Sequence, residues 1–525
     1  MTASSPTITT CKGTIRGKRL IDEPDFQADA YLGVPYARPP LGELRFKKPL
    51  PSLEWAGTRE CVHHPAKCVQ QLSELLSQND KDWPASEDCL YLNVFSPGDY
   101  PANNKRPVLV FIHGGGFARG SIRAYGDRAI CDGLVRQGLV VVMIQYRLGT
   151  CPGNFGLWDQ IAALRWIQAN IEQFGGDKDN VTICGQSAGG ACADLLSLSP
   201  HANGCAHFLP ISQFHGRPRP PLREGGLFHR TILMSGNARA PWSHRPSTAE
   251  SCRQYSETVL GVKADSNDEL IAQLRLLPSA VLESRLLATT ARFEFHPVID
   301  GDLLPAPIEQ LIVHAKALPV MAGATTLEGG LHLPDKDLTD AHLKKAVTAL
   351  LRKDDCDESI EALSAKYKEV ALRKQPEHAV WRAMAEVNSD LVFNLPTVQT
   401  LQERIRRGIP PYFYVFDYYN KACIGPLAQN SPCADTPHCS ELAYLFNDGV
   451  VAPFAFSEDD EQVAHLVMRA FANFAKSGNP NDDGSCPWQP CDVLLPTRHM
   501  VLGTQPRMQQ QFKKGRCERV IGLMK

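Results

Sequence analysis

The chain has 525 residues, enough for several small domains or for one large α/β domain carrying insertions. Hydrophobic residues make up 43% and charged residues 21%, with a formal net charge of −2. That balance describes a globular protein and argues against a nucleic-acid footprint, because no basic surplus or stripe is present.

The opening MTASSPTITTCKGTIRGKRL holds no apolar run that would serve as a signal-peptide core. No stretch reaches the roughly 18 apolar residues of a membrane span. Cytoplasmic residence is the expectation, with a secreted mature form as the alternative. The 17 cysteines are odd in number and scattered, so most are expected to be reduced core residues rather than a disulfide scaffold. Cys433, His438 and Cys439 could be misread as metal ligands, but no second cluster stands at ligand spacing, and no metal is expected.

Along the chain, short apolar runs bounded by turn residues predict buried parallel strands: 108–112, 139–145, 181–184, 231–234, 320–322 and 412–416. Between them lies a helical pattern with Ile161, Leu164, Ile167, Ile171 and Phe174 on one face, stopped by Gly175-Gly176. Such alternation predicts one mostly parallel sheet covered by helices on both faces, an α/β class. Residues 338–407 read as successive helices, expected to form a cap inserted in the same domain. Residues 203–226, rich in Pro, Gly and Arg, read as a long loop.

Gly185-Gln186-Ser187-Ala188-Gly189 follows the strand VTIC and precedes a helix-compatible run. A serine on that tight strand-to-helix turn is thrust outward, with glycines where the backbones crowd, so Ser187 is the expected nucleophile. His113-Gly114-Gly115-Gly116-Phe117 follows the strand VLVFI. Its glycines can aim backbone N–H groups at an oxyanion, each typically contributing about 3–4 kcal/mol in the transition state. A dinucleotide loop is excluded because Arg119 stands where the third glycine would fall. His113 itself reads as a structural residue rather than a base.

A nucleophilic serine needs a base and an orienting acid, in the chain order serine, acid, histidine for this arrangement. His438 and His465 are the late candidates. His465 lies in the helical pattern VAHLVMRAF, whereas His438 lies in a Pro- and Asp-rich loop, so His438 is preferred. For the acid, spacing alone leaves Asp300, Asp302 and Asp435 as open as Glu328.

The motifs YLGVPYARPPLGELRF, SEDCLYLNVF, HGGGF, GNFGLWDQIAALRWI, GGDKDNVTICGQSAGG, LFHRTILMSG, HPVIDGDLLP, TTLEGG, HCSELAYLF and FANFAKSGNPN, in this order, span nearly the whole chain. The sequence resembles the type-B carboxylesterase and cholinesterase-like family of α/β-hydrolases. The resemblance implies a Ser187–His438–Glu328 triad and an oxyanion hole from the N–H groups of Gly115, Gly116 and Ala188. It further implies a Cys68–Cys89 disulfide, no cofactor, and small-molecule esters as substrates. The chain departs from the family in having Gln186 where glutamate usually precedes the nucleophile, and Gln273 where a partner for Cys252 would stand. Transfer of the acyl group to another acceptor, thioester cleavage, and a catalytically inactive binding protein are the alternative functions that this frame allows.

Overall fold

The computed structural model describes residues 5–70, 82–98, 104–149, 153–203, 226–282, 296–330, 333, 338–352, 358–425, 431–481 and 487–524. Most of the expected 203–226 loop therefore lies outside the described residues. The chain divides into two compact units, Met1–Thr231 with Trp242–Leu318, and Ile232–Pro241 with Pro319–Lys525.

The first unit is built on strands β1 (Lys18–Asp22), β2 (Gln27–Pro35), β3 (Tyr91–Pro97), β4 (Arg106–Ile112), β5 (Val140–Ile144) and β6 (Gly176–Gln186). Their spatial order is β6-β4-β5-β3-β2-β1. β4 pairs in parallel with both β5 and β6, and the strands beyond β5 pair antiparallel. The sheet is thus mixed, with its parallel part at β4. Val108 to Ile112 and Val140 to Ile144 are at most 1% exposed, as strands covered on both faces must be.

Helix α1 (Phe155–Asn170) runs into a short 3₁₀ turn at Ile171–Phe174 and stops at Gly175, which takes the left-handed conformation at φ 76°. The five apolar residues of its predicted face are all fully buried. So is Asp159, whose carboxylate accepts two hydrogen bonds from the Arg147 guanidinium at 2.7 and 2.8 Å. Helix α2 (Ala188–Leu198) follows β6 after a single residue.

Strand β7 (Arg230–Met234) ends in the second unit. There, β8 (Val320–Thr325), β9 (Tyr412–Phe416), β10 (His499–Leu502) and β11 (Arg507–Gln509) lie in sequential order, parallel up to β10 and antiparallel at β11. Between β8 and β9 come the helices α3 (Asp340–Leu351), α4 (Glu358–Lys374), α5 (Ala379–Ser389) and α6 (Leu395–Arg406). They occupy the stretch read as successive helices. After β9 and a single helical turn at Lys421–Ile424 come α7 (Glu441–Phe446), α8 (Glu458–Ser477) and α9 (Arg516–Leu523). No helix among the described residues is long and apolar enough to cross a membrane.

Candidate active site

The residues singled out in the sequence fall into two groups, one in each unit. In the first unit, Ser187 is the one residue between β6 and α2, with φ 56° and ψ −123°. An L-residue rarely adopts this combination, and holding it costs of order 1–3 kcal/mol. The surrounding glycines make the turn possible. A Cβ on Gly185 would stand 2.2 Å from the Gly189 carbonyl oxygen, and one on Gly189 would stand 2.0 Å from the Ile112 oxygen. The elbow is therefore wedged against the end of β4.

The same end of β4 carries the glycine loop. A Cβ on Gly114 would lie 3.2 Å from the Ser187 Cβ, so this loop runs beside the serine. Gly115 and Gly116 have φ of 115° and 62°, and a Cβ on Gly116 would meet nothing within 4 Å. Ala188, whose N–H opens α2, is fully buried.

His113 supports the loop from below. Its ring stacks on Tyr146 at 4.4 Å, and Nδ1 lies 2.9 Å from the Gly114 oxygen. The Tyr146 hydroxyl donates to the His113 carbonyl at 2.7 Å. Burial pushes the imidazole down to about 4, so at neutral pH it is an uncharged strut that donates to Gly114.

Beside this group is a cavity of about 110 Å³ lined in part by Phe117, Leu148, Phe155 and Leu157. The Cys68–Cys89 pair, whose sulfurs are 2.08 Å apart, forms part of its wall. Cys252 is not disulfide-bonded.

In the second unit, Glu328 opens a short 3₁₀ turn just after β8 and is 1% exposed. Its Oε2 lies 2.6 Å from His438 Nδ1. Its Oε1 accepts from the Ser235 hydroxyl and the Thr325 amide, each at 2.6 Å. The two loops are laced together by their backbones: Leu327 donates to the Thr436 carbonyl at 3.0 Å, and the Thr436 amide donates to the Thr326 hydroxyl at 3.1 Å.

Burial alone would raise the Glu328 carboxyl. The charge and hydrogen bond of His438, with those from Ser235 and Thr325, outweigh it and hold the group below its usual range. Burial alone would likewise lower His438, but its contacts with Cys439 and Glu328 lift it well above an ordinary histidine. With Nδ1–H committed to Glu328, Nε2 is the nitrogen that carries the lone pair in the neutral ring.

The other acids left open by the sequence are engaged elsewhere. Asp435 pairs with Arg382 at 2.8 Å, Asp302 with His201 at 3.0 Å, and Asp300 accepts from Asn154 at 2.8 Å. His465 is exposed on α8. Phe117 borders the cavity, whereas Trp158 packs on His201 and under Lys48. Sequence reasoning missed Ser235. Its only signal is its place directly after β7, in LFHRTILMSG. Among the described residues, no group of three His, Cys, Asp or Glu side chains could hold a metal ion.

A strand-to-helix serine elbow on a mixed sheet, with a glycine loop at the neighbouring strand end, defines an α/β-hydrolase. A model of the carboxylesterase family matches residues 4–520, and the chain belongs to that family. It is 33% identical to an esterase of Caenorhabditis elegans, cest-33, over 96% of this chain and 92% of the worm protein. Human cocaine esterase is 32% identical over 98% and 91% of the two chains. The medium-chain fatty acyl-CoA hydrolase precursor of Anas platyrhynchos is 30% identical over 98% and 92%. The protein is a carboxylesterase-type hydrolase.

Proposed function

We propose that Ser187, His438 and Glu328 form a catalytic triad that cleaves carboxylic esters through an acyl-enzyme. Ser187 attacks the ester carbonyl while His438 Nε2 takes its proton, and Glu328 holds the ring in the tautomer this requires. The N–H groups of Gly115, Gly116 and Ala188 receive the oxyanion. Imidazolium then protonates the departing alcohol, and water repeats the sequence on the acyl-enzyme, releasing the acid and restoring Ser187. The apolar lining around Phe117 takes the hydrocarbon part of a neutral ester of small to moderate size. Thioesters belong in the same substrate panel, because the duck relative is named for acyl-CoA hydrolysis.

The observation that carries this reading is the backbone of Ser187 at φ 56° and ψ −123° between a strand and a helix. An unfavourable conformation at a serine, hemmed in by glycines that admit no side chain, is what a nucleophile elbow requires. The helices of 338–407 are proposed to form the cap of the substrate site.

Labelling with a fluorophosphonate followed by peptide mapping tests the assignment. The adduct is expected on Ser187, and Ser187→Ala is expected to lose turnover of aryl esters by at least about 10⁴-fold while keeping its unfolding midpoint. Full turnover by Ser187→Ala, or an adduct on another serine, overturns it. Product analysis with and without an added alcohol separates hydrolysis from transfer.

A further inference from the structure

Three residues beyond His438, the first residue of α7 carries a second buried carboxyl. Glu441 is 1% exposed, and neither of its oxygens has a hydrogen-bond partner. The Ser235 hydroxyl lies close to it but donates to Glu328 at 2.6 Å. Burial makes an ionised Glu441 costly and a second negative charge beside Glu328 makes it costlier, while its own amide and the Ser235 hydroxyl offset only part of that cost. A proton on Glu441 removes both penalties.

The neighbouring groups come from four segments. Glu328 faces Glu441 from the turn after β8, Ser235 from the end of β7, and His438 with Cys439 from the loop before α7. The Cys423 thiol, from the turn at Lys421–Ile424, is pushed up to about 12 by burial and stays uncharged. Among the described residues, Glu328 and His438 are the charged groups that act on Glu441, and they oppose each other.

We propose that Glu441 is a positioning residue that holds a proton beside the Glu328–His438 pair and, by releasing it, adds a second negative charge facing the imidazole. This rests on the reading of His438 as general base. With Glu441 protonated, Glu328 alone stabilises the imidazolium. With Glu441 ionised, the imidazolium is stabilised further, and His438 gives up its proton at higher pH. Burial and then the charge of Glu328 raise the Glu441 carboxyl to about 7, which places this exchange in the neutral range. His438 and Glu441 therefore titrate as a coupled pair, and the acid limb of the pH profile spreads over two ionisations.

The test is the pH dependence of kcat/KM on a neutral aryl ester for wild type, Glu441→Gln and Glu441→Asp. Glutamine imitates the protonated acid at every pH. Its acid limb is expected to narrow to one ionisation: the two profiles coincide at the foot, where Glu441 holds its proton, and above about pH 7 the variant reaches its plateau about half a pH unit earlier than wild type. Aspartate is expected to restore the broad limb. Infrared titration of the wild type needs no variant to fold: a buried protonated-carboxyl band is expected at pH 6 and lost through pH 7–8. Superimposable profiles for wild type and Glu441→Gln, or no such band at pH 6, overturn the proposal. His438→Gln separates the two readings, because failure of the base assignment leaves its turnover and acid limb intact, whatever the Glu441 band does.

Discussion

Gly116 and Gly189 flank the same serine yet answer to different constraints. A Cβ on Gly189 would drive into the Ile112 carbonyl at 2.0 Å, whereas one on Gly116 would enter open space. Gly189→Ala is therefore expected to displace the elbow from β4 and cost about 3 kcal/mol of stability, read as a lowered urea midpoint. Gly116→Ala pays only the strain of alanine at φ 62°, about 1–2 kcal/mol, and keeps the fold. Its methyl group would occupy the space proposed for the ester oxygen, so kcat is expected to fall at least about tenfold. Equal activity for Gly116→Ala and wild type would remove the glycine loop from the mechanism. Gln186, 2% exposed, is the residue before the nucleophile. Introducing a carboxylate by Gln186→Glu is expected to favour protonated His438 and move the acid limb of kcat/KM about one unit towards higher pH. Profiles that coincide would place this side chain out of electrostatic reach of the base.

At the level of elements, the C-terminal helix α9 is fastened by its first residue. Arg516 donates to both oxygens of Asp390, at 2.6 and 2.9 Å, and to Glu386 at 2.7 Å; both acids are at most 1% exposed. Arg516→Met leaves buried carboxylates short of a cation, and a loss of about 3–5 kcal/mol is expected in chemical denaturation. The sign with pH follows from Glu386, whose carboxyl Lys513, Arg516 and Lys374 hold far below its usual range against the effect of burial. Stability gained from such a group is present above its unfolded value and lost as pH falls, so the gap between variant and wild type should narrow on acidification. A gap that widens would contradict this account of the network.

None of this network is visible in the sequence, because Arg516 stands 130 and 126 residues from Glu386 and Asp390, and all three look like ordinary surface charges. What was legible depended on local signals. The six continuous apolar runs became strands, since burial on both faces leaves no polar alternation to obscure them. The antiparallel strands β1, β2 and β3 escaped as strands because their residues are mixed in polarity, and this is where the sheet is less parallel than expected. Ser187 and the glycine loop announced themselves through strained turns that only certain residues tolerate. Glu328 did not, because one carboxylate resembles another until its hydrogen bonds are known. The ion pairs holding Asp302 and Asp435 are long-range contacts that spacing cannot supply.

For the whole molecule, the Cys68–Cys89 bridge bears on stability and on the compartment in which the chain works. The two sulfurs close a loop of sequence separation 21, and both residues are at most 2% exposed. A cross-link of this span restricts the unfolded chain by about 3 kcal/mol, much of it independent of native contacts. The Cys68→Ala/Cys89→Ala double variant is therefore expected to unfold at lower denaturant with an altered m-value, because the unfolded state becomes less compact. Burial also shields the bridge: a mild reductant should leave the folded protein untouched and act only after local opening, so reduction should accelerate steeply with denaturant. Trapping with iodoacetamide before and after reduction, read by intact mass, reports whether the bond exists in protein taken from its natural compartment. If the unreduced native protein takes up alkyl groups at Cys68 and Cys89, the pair works as thiols and the stabilisation argued here does not operate. If those two stay unmodified until denaturant and reductant are combined, the chain has matured where disulfides persist, and the cytoplasmic expectation fails.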